Sequence, residues 1–233
     1  MNIKSKDRIL VVAPHPDDES IGMGGVLALY KRQCDVLLLT DGRHGHSSNI
    51  DIDENKLIDK RKEEIKKAVE YANIKTLFML EIEDRMVNAN KKKLAQFNIK
   101  DYDYIFVPNR YESHIDHKVV YPIVKKMIKK QKAKAKLYEY EVWTTLRCPT
   151  DYIDITPVIE IKRKMICCHN SQLEDCDYGE KGIALSNYRG MYAHCNYAEA
   201  VTDSSCMIKC ELKQKIPLEV IEFIRKIKKK VGK

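Results

Sequence analysis

The 233-residue sequence predicts an α/β fold, a mostly parallel sheet covered by helices on both faces, with a smaller C-terminal elaboration. Three observations predict it. Short β-branched apolar runs alternate with longer stretches of helical period. Two groups of histidine and aspartate stand directly after the first and fourth of those runs. The alternation is regular up to Trp143 and weakens beyond it. A chain of this length can bury one full core, so 1–233 is read as a single domain, with 1–145 as its α/β core and 146–233 as the elaboration.

In chain order, the first strand is 8–13, and a loop leads to a helix at about 22–33 whose Val26, Leu29 and Tyr30 share a face. The second strand, 35–40, ends in Asp41-Gly42, and a polar loop long enough to be functional runs on to about Asp53. A charged helix at 54–73 precedes a third strand at 76–80. A lysine-rich helix at 91–98 precedes a fourth strand at 104–107. A helix beginning near His117 leads to a fifth strand around 137–142, followed by a strand near 152–155. Thr156-Pro157 opens the next helix, with Thr as cap and Pro in the first turn. An amphipathic helix at 218–231 is expected to dock on the domain, although its apolar side also suits a membrane surface.

Composition narrows the class. With 44% apolar and 33% charged residues, the chain is an ordinary globular one. No apolar stretch approaches the roughly 20 residues that span a bilayer. The N-terminal apolar run is too short for a signal-peptide core and has no small-residue cleavage site, so the cytoplasm is the expected compartment. Eight cysteines without paired CxxC spacing are read as reduced thiols. The net charge of +8 comes from lysine-rich runs at 91–93, 125–136 and 226–233. They lack interleaved aromatics and any nucleic-acid module, so solvated helix faces are the commoner explanation and no nucleic-acid partner is expected. The basic surface is a weak hint toward an anionic conjugate or peripheral membrane contact. Oligomeric state leaves no trace in the sequence.

The chemistry lies in Pro14-His15-Pro16-Asp17-Asp18-Glu19 and in His114-Ile115-Asp116-His117. In an open sheet of order 3-2-1-4-5 the first and fourth strands are neighbours, and ligands bind in the crevice at their carboxyl ends. The two groups would therefore meet. Imidazole and carboxylate suit Zn²⁺ or another divalent first-row ion, and a catalytic zinc takes three protein ligands beside a water. His15, Asp18 and His117 would fill that role. Asp17 and Asp18 cannot both reach one ion without strain, so one ligates while the other faces the bound water. Taken singly, a loop histidine is usually a surface residue, and an acidic run usually caps a helix. It is their convergence on one crevice that argues for function. Gly22-Met23-Gly24-Gly25 lacks G-x-G-x-x-G spacing and is read as permitting tight helix-to-sheet packing.

These landmarks resemble the N-acetylglucosaminyl deacetylases that include the LmbE-like proteins and the PIG-L enzymes. The strand followed by PHPDDE, Thr40-Asp41-Gly42, Arg61-x-x-Glu64, the distal HxDH, His169-Asn170-Ser171-Gln172 and Tyr197-Ala198-Glu199 all occur in the family's order. The distal motif departs from the family in carrying Ile115 where Pro is usual. The resemblance implies a Rossmann-like three-layer fold, one divalent metal, Zn²⁺ or in the cell Fe²⁺ or another ion, and hydrolysis of an N-acetyl group on a small amino-sugar conjugate. His15, Asp18 and His117 look like the metal ligands, Asp17 the general base and His114 the second catalytic group. Arg61 and Asp84 fall where the family places substrate contacts, and the role of Tyr111 stays open. In the expected mechanism Asp17 deprotonates a metal-bound water, and a protonated His114, favoured by Asp116, faces the developing oxyanion. Either Asp17 or His114 could protonate the leaving amine. Two alternatives remain: an amidase for non-sugar conjugates, and a non-catalytic metal- or carbohydrate-binding protein, which would not need the Asp17 and His114 pair.

Overall fold

The computed structural model describes residues 1–45, 53–74, 76–173 and 178–206. The expected helix at 218–231, the lysine run at 226–233, Cys176 and Cys210 lie outside them. Seven strands form one sheet of order β3-β2-β1-β4-β5-β7-β6. They are β1 (Ile9–Ala13), β2 (Cys34–Thr40), β3 (Thr76–Ile82), β4 (Tyr104–Pro108), β5 (Lys136–Tyr140), β6 (Asp151–Asp154) and β7 (Ala198–Asp203). The first five are parallel in the expected order 3-2-1-4-5. β7 then pairs antiparallel to both β5 and β6.

The central strands are apolar throughout because both faces are covered. Ile9, Val11 and Ala13 of β1, with Val36 and Leu38 of β2, pack on one side against α1 (Asp18–Leu29), α2 (Glu54–Tyr71) and α5 (Ile159–Cys167). Leu10, Val12, Leu37 and Leu39 pack on the other against α3 (Lys91–Ala95) and α4 (Ile115–Gln131). Side chains alternate across a strand, so each run feeds two cores and makes the three layers. Among the described residues the cysteines are free thiols.

Three expectations need correction. Helix α1 starts at Asp18, four positions before Gly22, because Asp18 and Glu19 place negative charge at its N-terminus. The glycines then lie inside the helix, where a Cβ on Gly22 would stand 2.6 Å from the Glu141 carbonyl oxygen and one on Gly25 2.7 Å from Ile155 Cβ. Helix α4, expected to begin near His117, starts two positions earlier at Ile115 with His114 as its cap. The C-terminal region is also more regular than expected: α6 (Asn170–Leu173), α7 (Tyr178–Ala193) and β7 follow α5.

Candidate metal centre and active site

The first candidate loop leaves β1 at Pro14, whose carbonyl accepts from Thr40 N at 2.9 Å and Thr40 Oγ1 at 2.8 Å. It enters α1 through Asp17, at φ 145° and ψ −29°. That left-handed backbone is strained for a non-glycine residue and costs on the order of 1–3 kcal/mol. Neighbours hold it there. Glu19 Oε2 accepts the Asp17 N–H at 3.1 Å, and the Asp17 carbonyl accepts from Ser20 N at 3.0 Å and Ile21 N at 2.9 Å. The turn separates two adjacent carboxylates that a regular helix would not divide in this way.

Asp18 faces the crevice. Its Oδ2 lies 3.3 Å from His15 Nδ1 and 3.1 Å from His117 Nε2, and those nitrogens are 3.0 Å apart. Donor atoms around a tetrahedral zinc at about 2.0–2.1 Å are roughly 3.3 Å from one another, so this triangle fits one divalent ion. His15 also groups with His114 and His117, and with Asp84 and Asp116, as sets of clustered donor atoms. All three triangle residues are buried. Two of their remaining polar atoms, Asp18 Oδ1 and His117 Nδ1, have no hydrogen-bond partner among the described residues. Burial opposes charge on His15, but the carboxylates of Asp116, Asp18 and Asp84 hold its imidazolium form well above the usual range. Burial likewise opposes ionisation of Asp18, and the imidazoles of His117 and His15 overcome it. An incoming cation would displace the imidazolium proton and take up the freed nitrogen lone pair together with the carboxylate oxygens, so binding there would release protons.

Asp17 is paired with Arg61. Its Oδ2 is 3.3 Å from Arg61 Nη2. Burial pushes its carboxyl up to about 6, against the opposing pull of the Arg61 guanidinium. Arg61, itself buried, donates from Nη1 to the Gly42 carbonyl at 2.8 Å and from Nη2 to the Pro16 carbonyl at 2.7 Å. The structure therefore places Arg61 as a clamp between the loops after β1 and β2. Asp84, expected at the substrate, is also turned inward. Its Oδ1 lies 3.1 Å from His15 Nε2, and its Oδ2 accepts the His44 N–H at 3.2 Å.

His114 differs from expectation in its protonation. As the cap of α4 it uses Nδ1 to accept the Asp116 N–H at 3.2 Å. That lone pair leaves the proton on Nε2, the tautomer of a neutral imidazole. Burial and the neighbouring rings of His15 and His117 lower its pKa and outweigh the pull of Asp116, so the protonated form is disfavoured. Asp116 is occupied elsewhere: its carboxylate accepts the backbone N–H of Arg85 at 2.6 Å and Val87 at 3.1 Å, and lies 3.5 Å from His15 Nε2. Tyr111 is exposed on the loop before His114.

Sequence reasoning assigned no task to several supporting residues. His169 Nε2 meets Glu19 Oε1 at 3.0 Å, fixing the carboxylate that holds Asp17. Ser171 donates from N at 2.8 Å and from Oγ at 2.6 Å to the Glu64 carboxylate. Gln172 donates to the Gly45 carbonyl at 2.7 Å. The His169 to Gln172 landmark was the signal, since a polar run after an amphipathic helix has to satisfy something. Glu199, in the second C-terminal landmark, accepts the N–H groups of Gly25 at 2.7 Å and Val26 at 2.8 Å and pairs with Lys162 at 2.7 Å.

Comparison with known proteins supports the fold and the family. A diacetylchitobiose deacetylase of Thermococcus kodakarensis is 26% identical over 83% of this chain and 82% of its own. The structure of the N,N′-diacetylchitobiose deacetylase from Pyrococcus horikoshii, complexed with its inhibitor MPG, aligns with a TM-score of 0.74 at 21% identity, over 86% of this chain and 85% of that one. GalB, the 4-carboxy-2-hydroxymuconate hydratase of Pseudomonas putida KT2440, shares the fold with a TM-score of 0.66 at 19% identity, over 84% and 95% of the two chains. Residues 10–128, more than half of the chain and the stretch that carries His15, Asp17, Asp18, Arg61, Asp84, His114 and His117, match the PIG-L family described as GlcNAc-PI de-N-acetylase, and the protein belongs to that family.

Proposed function

We propose that this chain is a zinc-dependent hydrolase that removes the acetyl group from an N-acetylglucosamine conjugate. The observation that carries the reading is the triangle of His15 Nδ1, Asp18 Oδ2 and His117 Nε2, with edges of 3.0, 3.1 and 3.3 Å, next to a buried Asp17 held by Arg61. The names of the relatives supply the acetylated sugar as the substrate class. Fe²⁺ or another divalent ion suits the same donors in the cell. Among the described residues no helix is long and apolar enough to cross a membrane, and the cytoplasm is the proposed compartment.

A bound ion supplies Lewis acidity to the carbonyl and a lowered pKa to water. The chain's own residues do the rest. Asp17 takes the proton from the attacking water, and Arg61 fixes the direction its carboxylate faces. His114 presents its Nε2–H as a neutral donor to the carbonyl oxygen as negative charge builds there. A neutral imidazole at a helix N-terminus is suited to that task, since the helix dipole disfavours a cation. With the Nδ1 lone pair of His114 committed to the Asp116 N–H, Asp17 is the group that returns the proton to the leaving amine.

The test is acetate release from metal-loaded protein given N-acetylglucosamine, N,N′-diacetylchitobiose and non-sugar acetamides, with His15→Ala alongside. Release from the sugars that vanishes in His15→Ala supports the reading. Release from the acetamides alone moves the assignment to a non-sugar amidase. No release at all, with stoichiometric metal bound, leaves a binding protein or another chemistry on this fold, as the hydratase neighbour illustrates.

A further inference from the structure

Trp143 is the single tryptophan of the chain, and it lies outside the core with 44% of its surface exposed. A tryptophan normally buries most of its ring, so an open one on a loop invites a functional explanation. The loop that carries it follows β5 and is tied to the loop that carries His114. Glu112, 3% exposed and two positions before His114, accepts the N–H groups of Val142 at 3.3 Å, Trp143 at 2.9 Å and Thr144 at 3.0 Å, all on Oε1. Asn109 Nδ2 adds a bond to the Thr144 carbonyl at 3.2 Å. The backbone of Trp143 is therefore fixed relative to the catalytic loop.

One side of the indole is also covered. Tyr178, the first residue of α7, meets it with ring centroids 4.9 Å apart and planes inclined at 56°. Tyr111 on the neighbouring loop and Ile115 at the start of α4, 52% and 48% exposed, lie on either side of His114 in the chain. The carboxyl-end rim of the sheet thus gathers large apolar side chains beside a buried polar centre. A pyranose ring has matching chemistry, with C–H groups on its faces and hydroxyls at its edge.

We propose that Trp143, braced by Tyr178, is a stacking platform for the sugar unit linked to the one whose acetyl group is removed. This rests on the deacetylase reading for the placement of the first sugar, and it makes the preferred substrate an oligosaccharide rather than a monosaccharide. Because there is one tryptophan, its fluorescence reports the platform directly.

The experiment titrates N-acetylglucosamine and N,N′-diacetylchitobiose against the metal-loaded protein while following tryptophan emission, and measures acetate release in parallel for wild type, Trp143→Ala and Trp143→Phe. The disaccharide is expected to shift emission saturably where the monosaccharide does not. Trp143→Ala should raise KM for the disaccharide on the order of tenfold with kcat and the monosaccharide KM little changed, and Trp143→Phe should recover most of the loss. Emission unmoved by disaccharide that is being turned over, or KM rising equally for both sugars, overturns the platform. A disaccharide-specific emission shift without acetate release keeps the platform and removes the deacetylase reading, and neither signal removes both.

Discussion

Asp84 Oδ1 stands 3.1 Å from Nε2 of His15, while Nδ1 of the same ring faces Asp18 and His117. One imidazole thus joins a carboxylate on its outer edge to the donor triangle on its inner edge, an arrangement that fixes the tautomer and ring orientation of a metal-ligating histidine. Asp84→Asn is expected to weaken metal binding by about 10- to 100-fold. Competition against a chromophoric chelator measures it, and unchanged affinity would show that Asp84 does not orient the ligand.

Asp17→Asn should retain metal and lose on the order of 10² to 10⁴ in turnover, the range for a positioned acid or base. Metal content and acetate release, measured on the same sample, check both halves. Near-normal turnover with metal bound would mean that another group is the base.

Metal loading should stabilise the fold. An ion present at 100 times its Kd, binding only the native chain, adds about 2.7 kcal/mol. For a chain of this size each kcal/mol moves Tm by about 2–4 °C. Differential scanning fluorimetry of chelated and zinc-loaded protein reads the shift, and His15→Ala should abolish it.

Glu199→Ala should be among the most damaging changes outside the crevice. It strands the buried Lys162 ammonium and removes the acceptor for two N–H groups of α1, and breaking a buried pair by removing one partner costs about 3–5 kcal/mol. Urea denaturation measures the loss, and Glu199→Ala combined with Lys162→Met should recover part of it.

Cys34 gives a pH prediction. Burial, reinforced by the neighbouring Asp35 charge, pushes its thiol far up. An unfolded cysteine ionises near about 8.5, so the contribution of Cys34 to stability is complete below that pH and is lost as pH rises toward the folded value. The slope approaches about 1.4 kcal/mol per pH unit. Wild type should lose stability faster than Cys34→Ala above about pH 9 in parallel urea titrations. At neutral pH, iodoacetamide should label the exposed Cys167 and Cys206 before Cys34.

The parallel half of the sheet was legible because β1, β2 and β4 are continuous apolar runs, and a switch point between the first and fourth strands forces His15 and His117 together whatever the loops do. Arg61 and Asp84 show where pattern reading stops. The sequence locates them near the crevice but carries no sign of which way they turn, and in the fold both face other protein groups. Helix α7 was invisible for a different reason: its buried positions, Gly179, Ile183, Ser186, Arg189 and Gly190, have helical spacing but are mostly not apolar. Arg189 is buried because its guanidinium pairs with the Glu141 carboxylate, a distant partner no local window contains. The alanine and acidic residues of β7 have little intrinsic strand preference, and it is a strand because β5 and β6 flank it.

The position of β7 also bears on how the molecule is assembled during synthesis. Among the described residues β6 pairs only with β7, yet α5, α6 and α7 are made between them. As the chain emerges, β6 has no ladder partner and β5 keeps an open edge until the last described strand arrives. Its arrival brings Glu199 to α1 as well. Helix α1 is one of the earliest elements to be made, but its buried carboxylate support comes from one of the latest described. A nascent chain can therefore complete its five parallel strands and still lack a settled crevice at the end of β1, which makes completion of the candidate site a late folding event. An unpaired β5 edge is exposed to aggregation throughout that interval.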